Sequence, residues 1–147
     1  MYRVLMPVDS SESRGRAQAT AVTDLPGADE AVAVTLLYVF DEDVSMSEAS
    51  LERAEGGQRD EDTSPEQIVG GRAAVTVLDD AGVAVDRLSR FGDPATEILA
   101  AAEDVDADCI VLGGRKRSPG ESLVFGSVSQ AVLLESDRPV MITGGEK

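Results

Sequence analysis

The stretch Gly113–Ser127, GGRKRSPGESLVFGS, carries the residues best suited to binding chemistry in this chain. It combines glycines with three consecutive cations at Arg115, Lys116 and Arg117, and it ends in the pair Gly126-Ser127. Glycine lets a phosphate approach the backbone, cations attract it, and a helix start offers free N–H groups at the positive end of its dipole. These features indicate a phosphate-binding loop. The alternative is a solvated turn followed by a serine that caps the next helix, and the loop alone favours neither.

Nucleophilic and metal chemistry is largely excluded by composition. The chain has no histidine, which removes Ser-His-Asp and Cys-His catalysis, histidine metal sites and a histidine pH switch. The single cysteine, Cys109, cannot form an internal disulfide or a thiolate metal cluster. We expect Cys109 to be a buried structural thiol in a strand, because no histidine can activate it. No catalytic residue and no metal ligand is assigned.

The charge of the chain is strongly negative, with 28 acidic against 13 basic residues and a formal charge of −15. Phosphates of nucleic acid and anionic membrane surfaces would be repelled, so neither is expected as a partner. No apolar run approaches the roughly 20 residues that span a bilayer, and we expect a soluble, cytoplasmic protein. Only two of the cations are lysines. We interpret this acidic, lysine-poor composition as adaptation to molar salt, where the Debye length falls to ~3 Å. The alternative is an ordinary acidic protein.

Apolar runs alternate with helix signals along the 147 residues, which suffice for one domain. The predicted strands are Arg3–Val8, Glu30–Phe40, Ala84–Phe91, Ala107–Leu112 and Pro139–Thr143. The predicted helices are Ser11–Thr23, Ser64–Ala81, Pro94–Asp104 and one that begins at a Ser127-x-x-Gln130 capping box. We expect Gly82 to end the second of these helices and Asp93 to cap the start of the third. The acidic segment 41–63 is predicted to be a flexible insertion with a short helix at Ser47–Glu55.

This order of elements predicts an α/β fold, a three-layer open sandwich with a five-stranded parallel sheet flanked by helices. In such sheets a ligand binds beyond the carboxyl ends of the strands, at the point where strand order reverses. The residues expected at those ends are Asp9-Ser10, Val39-Phe40, Gly92 and Gly113-Gly114. The candidate phosphate loop therefore begins at one of them.

Nearly the whole chain, from VLMPVDSSE near the start to PVMIT at the end, resembles the universal stress protein family of small UspA-like proteins. The resemblance implies an adenine-nucleotide alpha-hydrolase-like fold. Nucleotide-binding members carry a glycine, two residues, a second glycine, nine residues and then Gly-Ser or Gly-Thr. Gly113 matches the first glycine, and Gly126-Ser127 matches the final pair at the right distance. Lys116 stands in place of the second glycine, which weakens the implication of ATP binding, although lysine can supply charge to phosphates.

The resemblance also implies contacts to an adenine nucleotide. Asp9 corresponds to an acid that contacts the ribose, and Val39 to the residue that meets the adenine. The alternatives are an Asx turn at Asp9 and a plain core valine at Val39. The candidate ligand is ATP or another adenine nucleotide, with a Mg²⁺ ion on the phosphates that Asp9 could coordinate. The candidate nucleotide-binding residues are Pro7, Val8, Asp9, Ser10, Val39, Leu112, Gly113, Arg115, Lys116, Gly126, Ser127 and Val128.

Two functions follow from the resemblance. The first is a nucleotide-binding regulatory protein of the stress response, with at most weak ATP hydrolysis. The second is a nucleotide-independent dimeric interaction module that pairs through the last strand, Pro139–Thr143, since an edge strand offers unpaired backbone groups. Gly126-Ser127 favours the first function and Lys116 the second. A phosphoacceptor receiver domain is disfavoured, because serines rather than a second acid follow Asp9.

Overall fold

The computed structural model describes residues 1–40, 68–116, 123–124 and 126–143. Its strands are β1 (Tyr2–Pro7), β2 (Val32–Phe40), β3 (Ala84–Phe91), β4 (Cys109–Gly113), β5 (Arg115–Lys116), β6 (Leu123–Val124) and β7 (Val140–Thr143). Its helices are α1 (Glu12–Thr23), α2 (Ala28–Ala31), α3 (Val69–Asp80), α4 (Pro94–Asp104) and α5 (Ser127–Glu135). Five of the strands form a parallel sheet in the order β3-β2-β1-β4-β7, which confirms the predicted fold class.

Two hydrophobic clusters fill the space between the sheet and its helices, because neighbouring residues of a strand point to opposite faces. One cluster joins alternate strand residues such as Val34 and Leu36 to α1 and α3. The other joins Leu37, Ile110 and Leu112 to α4 and α5. This burial on both faces explains the near-continuous apolar sequence of β2.

Local signals placed most elements correctly, although several bounds differ, as in β4, which begins at Cys109 rather than Ala107. A short helix, α2, precedes β2, so that strand begins at Val32 rather than Glu30. Ile68 has an extended backbone, so α3 begins at Val69 and the predicted continuous helix Ser64–Ala81 is wrong. The expected loop after β4 contains the antiparallel pair β5–β6. The predictions for Ser64–Gln67 and for segment 41–63 fall outside the described residues.

Helices α1 and α3 pack together at two glycines. A Cβ atom on Gly15 would lie 2.1 Å from the carbonyl oxygen of Gly70, and one on Gly70 would lie 2.1 Å from the carbonyl oxygen of Asp9. The amide of Gly70 donates to that same Asp9 oxygen over 3.0 Å. The absence of side chains at both positions therefore lets α3 reach the turn between β1 and α1. Within the described ranges, no helix is long and apolar enough to cross a membrane.

Candidate functional site

The strand order reverses between β1 and β4, because β2 and β3 lie on one side of β1 while β4 and β7 lie on the other. The register joins β1 to β2 through six residue pairs but to β4 through two, Val4 with Cys109 and Leu5 with Ile110. The two central strands therefore separate towards their carboxyl ends. The opening lies between Pro7-Val8 and Leu112-Gly113, where the sequence predicted a ligand.

A buried amide spans this opening. Gln18 of α1 is 2% exposed, and its Nε2 donates to the carbonyl oxygen of Pro7 over 2.7 Å and to that of Val111 over 3.0 Å. It thereby satisfies two carbonyls that the diverging strands leave without a ladder partner. Gln18 is not among the site residues predicted from the sequence. The available signal was an amide on the buried stripe of α1, whose other members are Gly15, Ala19 and Val22.

The carboxylate of Asp9 accepts hydrogen bonds from two residues that follow it closely in the chain, Ser11 and Arg14. Its Oδ1 accepts the amide of Ser11 over 2.9 Å, which is the Asx turn considered from the sequence. Its Oδ2 accepts from Nε of Arg14 over 3.2 Å and from Nη2 of Arg14 over 2.9 Å. The hydroxyl of Ser11 then caps α1 by accepting the Arg14 amide over 3.2 Å. About half of the Asp9 side chain stays exposed to solvent.

Gly113 lies under the stem of the same arginine. A Cβ atom at Gly113 would lie 3.2 Å from Cδ of Arg14 and 3.2 Å from Oε1 of Gln18. Because Gly113 has no side chain, the side chains of Arg14 and Gln18 of α1 can pack against its backbone. This packing brings Asp9, Arg14, Gln18 and Gly113 together, although they come from both central strands and the helix between β1 and β2.

Helix α5 begins at the same edge of the sheet, and its start is open. Its N-cap is Gly126, with φ −74° and ψ 170°, and in the described part of the chain no side chain caps the first turn. No described atom lies within 4 Å of a Cβ built on Gly126, and both Gly126 and Ser127 are exposed. The predicted Ser127-x-x-Gln130 capping box is wrong, because Ser127 is already helical. Among the described residues, no side chain takes up the N–H groups of this turn, and such groups are suited to binding an anionic ligand.

The other candidate residues divide by burial. Val8 and Leu112 belong to the two hydrophobic clusters, so they can offer a ligand only backbone groups. Val39 and Val128 are half-buried and pack against the cluster beneath α4 and α5, so both a core role and an apolar contact remain open. The ladder pairs Arg115 with Val124 and Lys116 with Leu123. Pro7 is half-buried and Ser10 is exposed.

The start of α4, at the same edge of the sheet, is capped by a side chain. Asp93 caps α4, because its Oδ2 accepts from the amide of Thr96 over 3.0 Å and from its hydroxyl over 2.9 Å. These hydrogen bonds lower the pKa of the Asp93 carboxyl group below its ordinary value. Gly92, with φ +134°, makes the turn before it, and its amide donates to the carbonyl oxygen of Phe40. Asp93 therefore acts as a cap, as its sequence context predicted.

Cys109 is buried in β4, and burial raises the pKa of its thiol, as expected for a structural cysteine. Among the residues that the structure describes, no group of three or more acidic or cysteine side chains could hold a metal ion. The groups that the described residues bring together between β1 and β4 are backbone amides, the Asp9 carboxylate and the Arg14 guanidinium paired with it.

The profile of the universal stress protein family matches residues 1–144. This chain belongs to that family. The stress response protein NhaX of Bacillus subtilis is 26% identical to it over 159 residues, covering 95% of this chain and 96% of the relative.

Solved structures of universal stress proteins share the fold. One from Archaeoglobus fulgidus in complex with dAMP has a TM-score of 0.64 and 20% identity, with 97% of this chain and 98% of the other covered. One from Arabidopsis thaliana with AMP bound has a TM-score of 0.65 and 19% identity, with 99% and 93% covered. At this level of identity the likeness establishes the architecture.

Proposed function

We propose that this chain is a regulatory universal stress protein that binds ATP at the carboxyl edge of the sheet, between β1 and β4. The observation that carries the proposal is the start of α5 at Gly126-Ser127, which no described side chain caps, at the edge where the strand order reverses. Two proteins of the same fold have AMP or dAMP bound, which supports the choice of an adenine nucleotide.

The proposal gives each group a role. The amides of Gly126 and Ser127 would hold phosphate oxygens, with charge from Arg115 and Lys116. Asp9 would accept a hydrogen bond from the ribose, and a Mg²⁺ ion would arrive with the phosphates. Apolar contact to adenine would come from the half-buried residues Val39 and Val128, while Pro7, Val8, Ser10, Leu112 and Gly113 supply the rim of the site.

Catalysis is expected to be weak or absent. A general base must be free to take a proton within hydrogen-bond reach of the reacting group. The Asp9 carboxylate already accepts from Ser11 and twice from Arg14, so it is committed to orienting the turn. We therefore propose nucleotide binding rather than rapid hydrolysis as the function of the site.

Equilibrium dialysis of ATP with Mg²⁺ in molar KCl tests the proposal, with Gly126→Asp beside its neutral isostere Gly126→Asn. Both substitutions fit, because Gly126 has an ordinary φ and open space around it, and both residues are good N-caps. We expect saturable binding near one ATP per chain, at least about tenfold weaker in Gly126→Asp than in Gly126→Asn. A folded wild-type protein that does not bind ATP would rule the proposal out.

A dimer is the second proposal, and one observation favours it: β7 lies at the edge of the five-stranded sheet. In that arrangement two copies would pair through Pro139–Thr143, with or without nucleotide, which keeps the nucleotide-independent interaction module as the alternative function. Sedimentation equilibrium should give twice the 15.4 kDa mass of the chain. A monomer at every accessible protein concentration would exclude this pairing.

The acidic composition motivates a further proposal, that the protein works in molar salt. At −15 charges, self-repulsion destabilises the compact state until salt screens it. The melting temperature should therefore rise steeply as KCl increases from about 0.1 M to about 2 M. A flat dependence would mark the chain as an ordinary acidic protein.

A further inference from the structure

The Asp9 carboxylate has little hydrogen-bonding capacity left. A carboxylate offers about four lone-pair sites, two on each oxygen. In the described part of the chain, Oδ2 accepts from both Nε and Nη2 of Arg14, while Oδ1 accepts from the Ser11 amide alone. The remaining acceptor site is therefore on Oδ1. A carboxylate that bound both hydroxyls of a ribose, one on each oxygen, would require Oδ2 to be free.

Arg14 is also fixed from its other side. Its stem lies against Gly113, where a Cβ atom would be 3.2 Å from Cδ and 3.3 Å from Cβ of the arginine. Its side chain is 23% exposed, compared with 56% for Arg16 two residues later. Planar two-nitrogen contact with a carboxylate has defined geometry. The arginine is therefore a held partner of Asp9 rather than a loose surface cation.

We propose that Arg14 is a positioning residue that restricts Asp9 to a single hydroxyl of the nucleotide sugar, so that the site accepts nucleotides lacking one of the two ribose hydroxyls. This inference rests on the proposed nucleotide site and specifies its ligand class: adenine nucleotides in which one sugar hydroxyl, and not the pair, is recognised. Removing Arg14 frees Oδ2 and turns the site into one that selects the intact diol.

The test compares the affinities of ATP, 2′-deoxyATP and 3′-deoxyATP for the wild-type protein and for Arg14→Met. In the wild type, one deoxy analogue should bind within about threefold of ATP and the other about tenfold more weakly, because one hydrogen bond to a charged group is lost. In Arg14→Met both analogues should bind about tenfold more weakly than ATP. Arg16→Met is the matched control, since Arg16 pairs with Glu12 on the same helix and should leave the wild-type pattern unchanged.

Each result bears on the inference separately from the proposed function. If wild-type protein does not bind ATP, the proposed function fails. If the wild type binds ATP but both deoxy analogues bind about tenfold more weakly than ATP, or neither does, the inference that Asp9 contacts a single hydroxyl is wrong. If Arg14→Met retains the wild-type pattern, Arg14 does not restrict Asp9. Should Arg14→Met not fold, Arg14→Lys provides the same comparison, because an ammonium lacks the two-nitrogen fork and cannot occupy both sites of Oδ2 in the same geometry.

Discussion

The carboxyl edge of the sheet has two unlike halves. On the β1 side, the main polar side chains of the turn are bound within the protein: Asp9 to Ser11 and Arg14, and Gln18 to two backbone carbonyls. On the β4 side, no side chain in the described ranges caps α5. There too, the buried hydroxyl of Thr143, at the end of β7, has no hydrogen-bond partner among the described residues.

This difference shows how one fold divides its tasks. On the β1 side, the backbones of α1 and α3 and of the turn at Asp9 are in close contact, which fixes the position of that turn. On the β4 side, no described side chain caps the N–H groups at the start of α5, and such groups are what an anionic ligand requires. Glycine therefore has different roles at the two helix starts. At Gly70 it allows close contact between backbones, whereas no described atom lies within 4 Å of a Cβ built on Gly126.

The largest expected difference is between the stabilities of two variants, each with a methyl group added at one of these glycines. Gly70→Ala should lower the free energy of unfolding by about 3 kcal/mol or more, because its Cβ would meet the Asp9 carbonyl oxygen at 2.1 Å and the Ser11 carbonyl oxygen at 2.7 Å. Gly126→Ala should change it by less than about 1 kcal/mol. Urea unfolding of both variants at one KCl concentration measures the difference. Equal stabilities would contradict the contrast between the halves.

A smaller difference in stability is expected between variants of the two buried polar residues, Gln18 and Thr143. Gln18→Met should cost about 2–3 kcal/mol of unfolding free energy, since it leaves the carbonyls of Pro7 and Val111 without their donor. Thr143→Val removes a hydroxyl that has no partner in the described ranges, so stability should stay level or rise by up to about 1 kcal/mol. Thermal unfolding at fixed salt distinguishes them. A loss in Thr143→Val as large as that in Gln18→Met would show that the β4 side is as closed as the β1 side.

The smallest expected effect is the pH dependence of the capped start at Asp93. Its hydrogen bonds with Thr96 lower the pKa of the folded-state carboxyl below 3.8, so the unfolded chain takes up the proton first. The stabilisation is therefore present above the unfolded pKa and is lost as pH falls through the lower folded pKa.

The difference in unfolding free energy between wild type and Asp93→Asn, measured from about pH 6 to about pH 3, should shift against the wild type as the pH falls. Gly126→Asp should introduce a similar dependence at α5, where the wild type has no carboxylate at the cap position. If Asp93→Asn left the acid limb of the stability curve unchanged, the Asp93 cap would carry no charge-dependent stabilisation.

Local sequence signals worked where the decisive partners lie within a few positions. The cap at Asp93 was predicted because its acceptor reaches an amide three residues ahead, and Gly82, at φ +75°, follows α3 as predicted. The same logic failed at Ser127. Which of two adjacent residues becomes the N-cap depends on where the incoming backbone ceases to be extended, and here that residue is Gly126.

The sequence by itself determined the alternation of strands and helices and the parallel sheet, because apolar periodicity and helix caps act over short distances along the chain. It also predicted the edge of the sheet at which to seek a ligand, which stays a prediction. Tertiary structure alone decided that Gln18 would bridge to Val111, 93 residues away. It also decided that Gly113 would lie under Arg14 and that this arginine would occupy one oxygen of Asp9. These contacts arise where diverging strands leave carbonyls and space to be filled, and no local pattern records which side chain fills them.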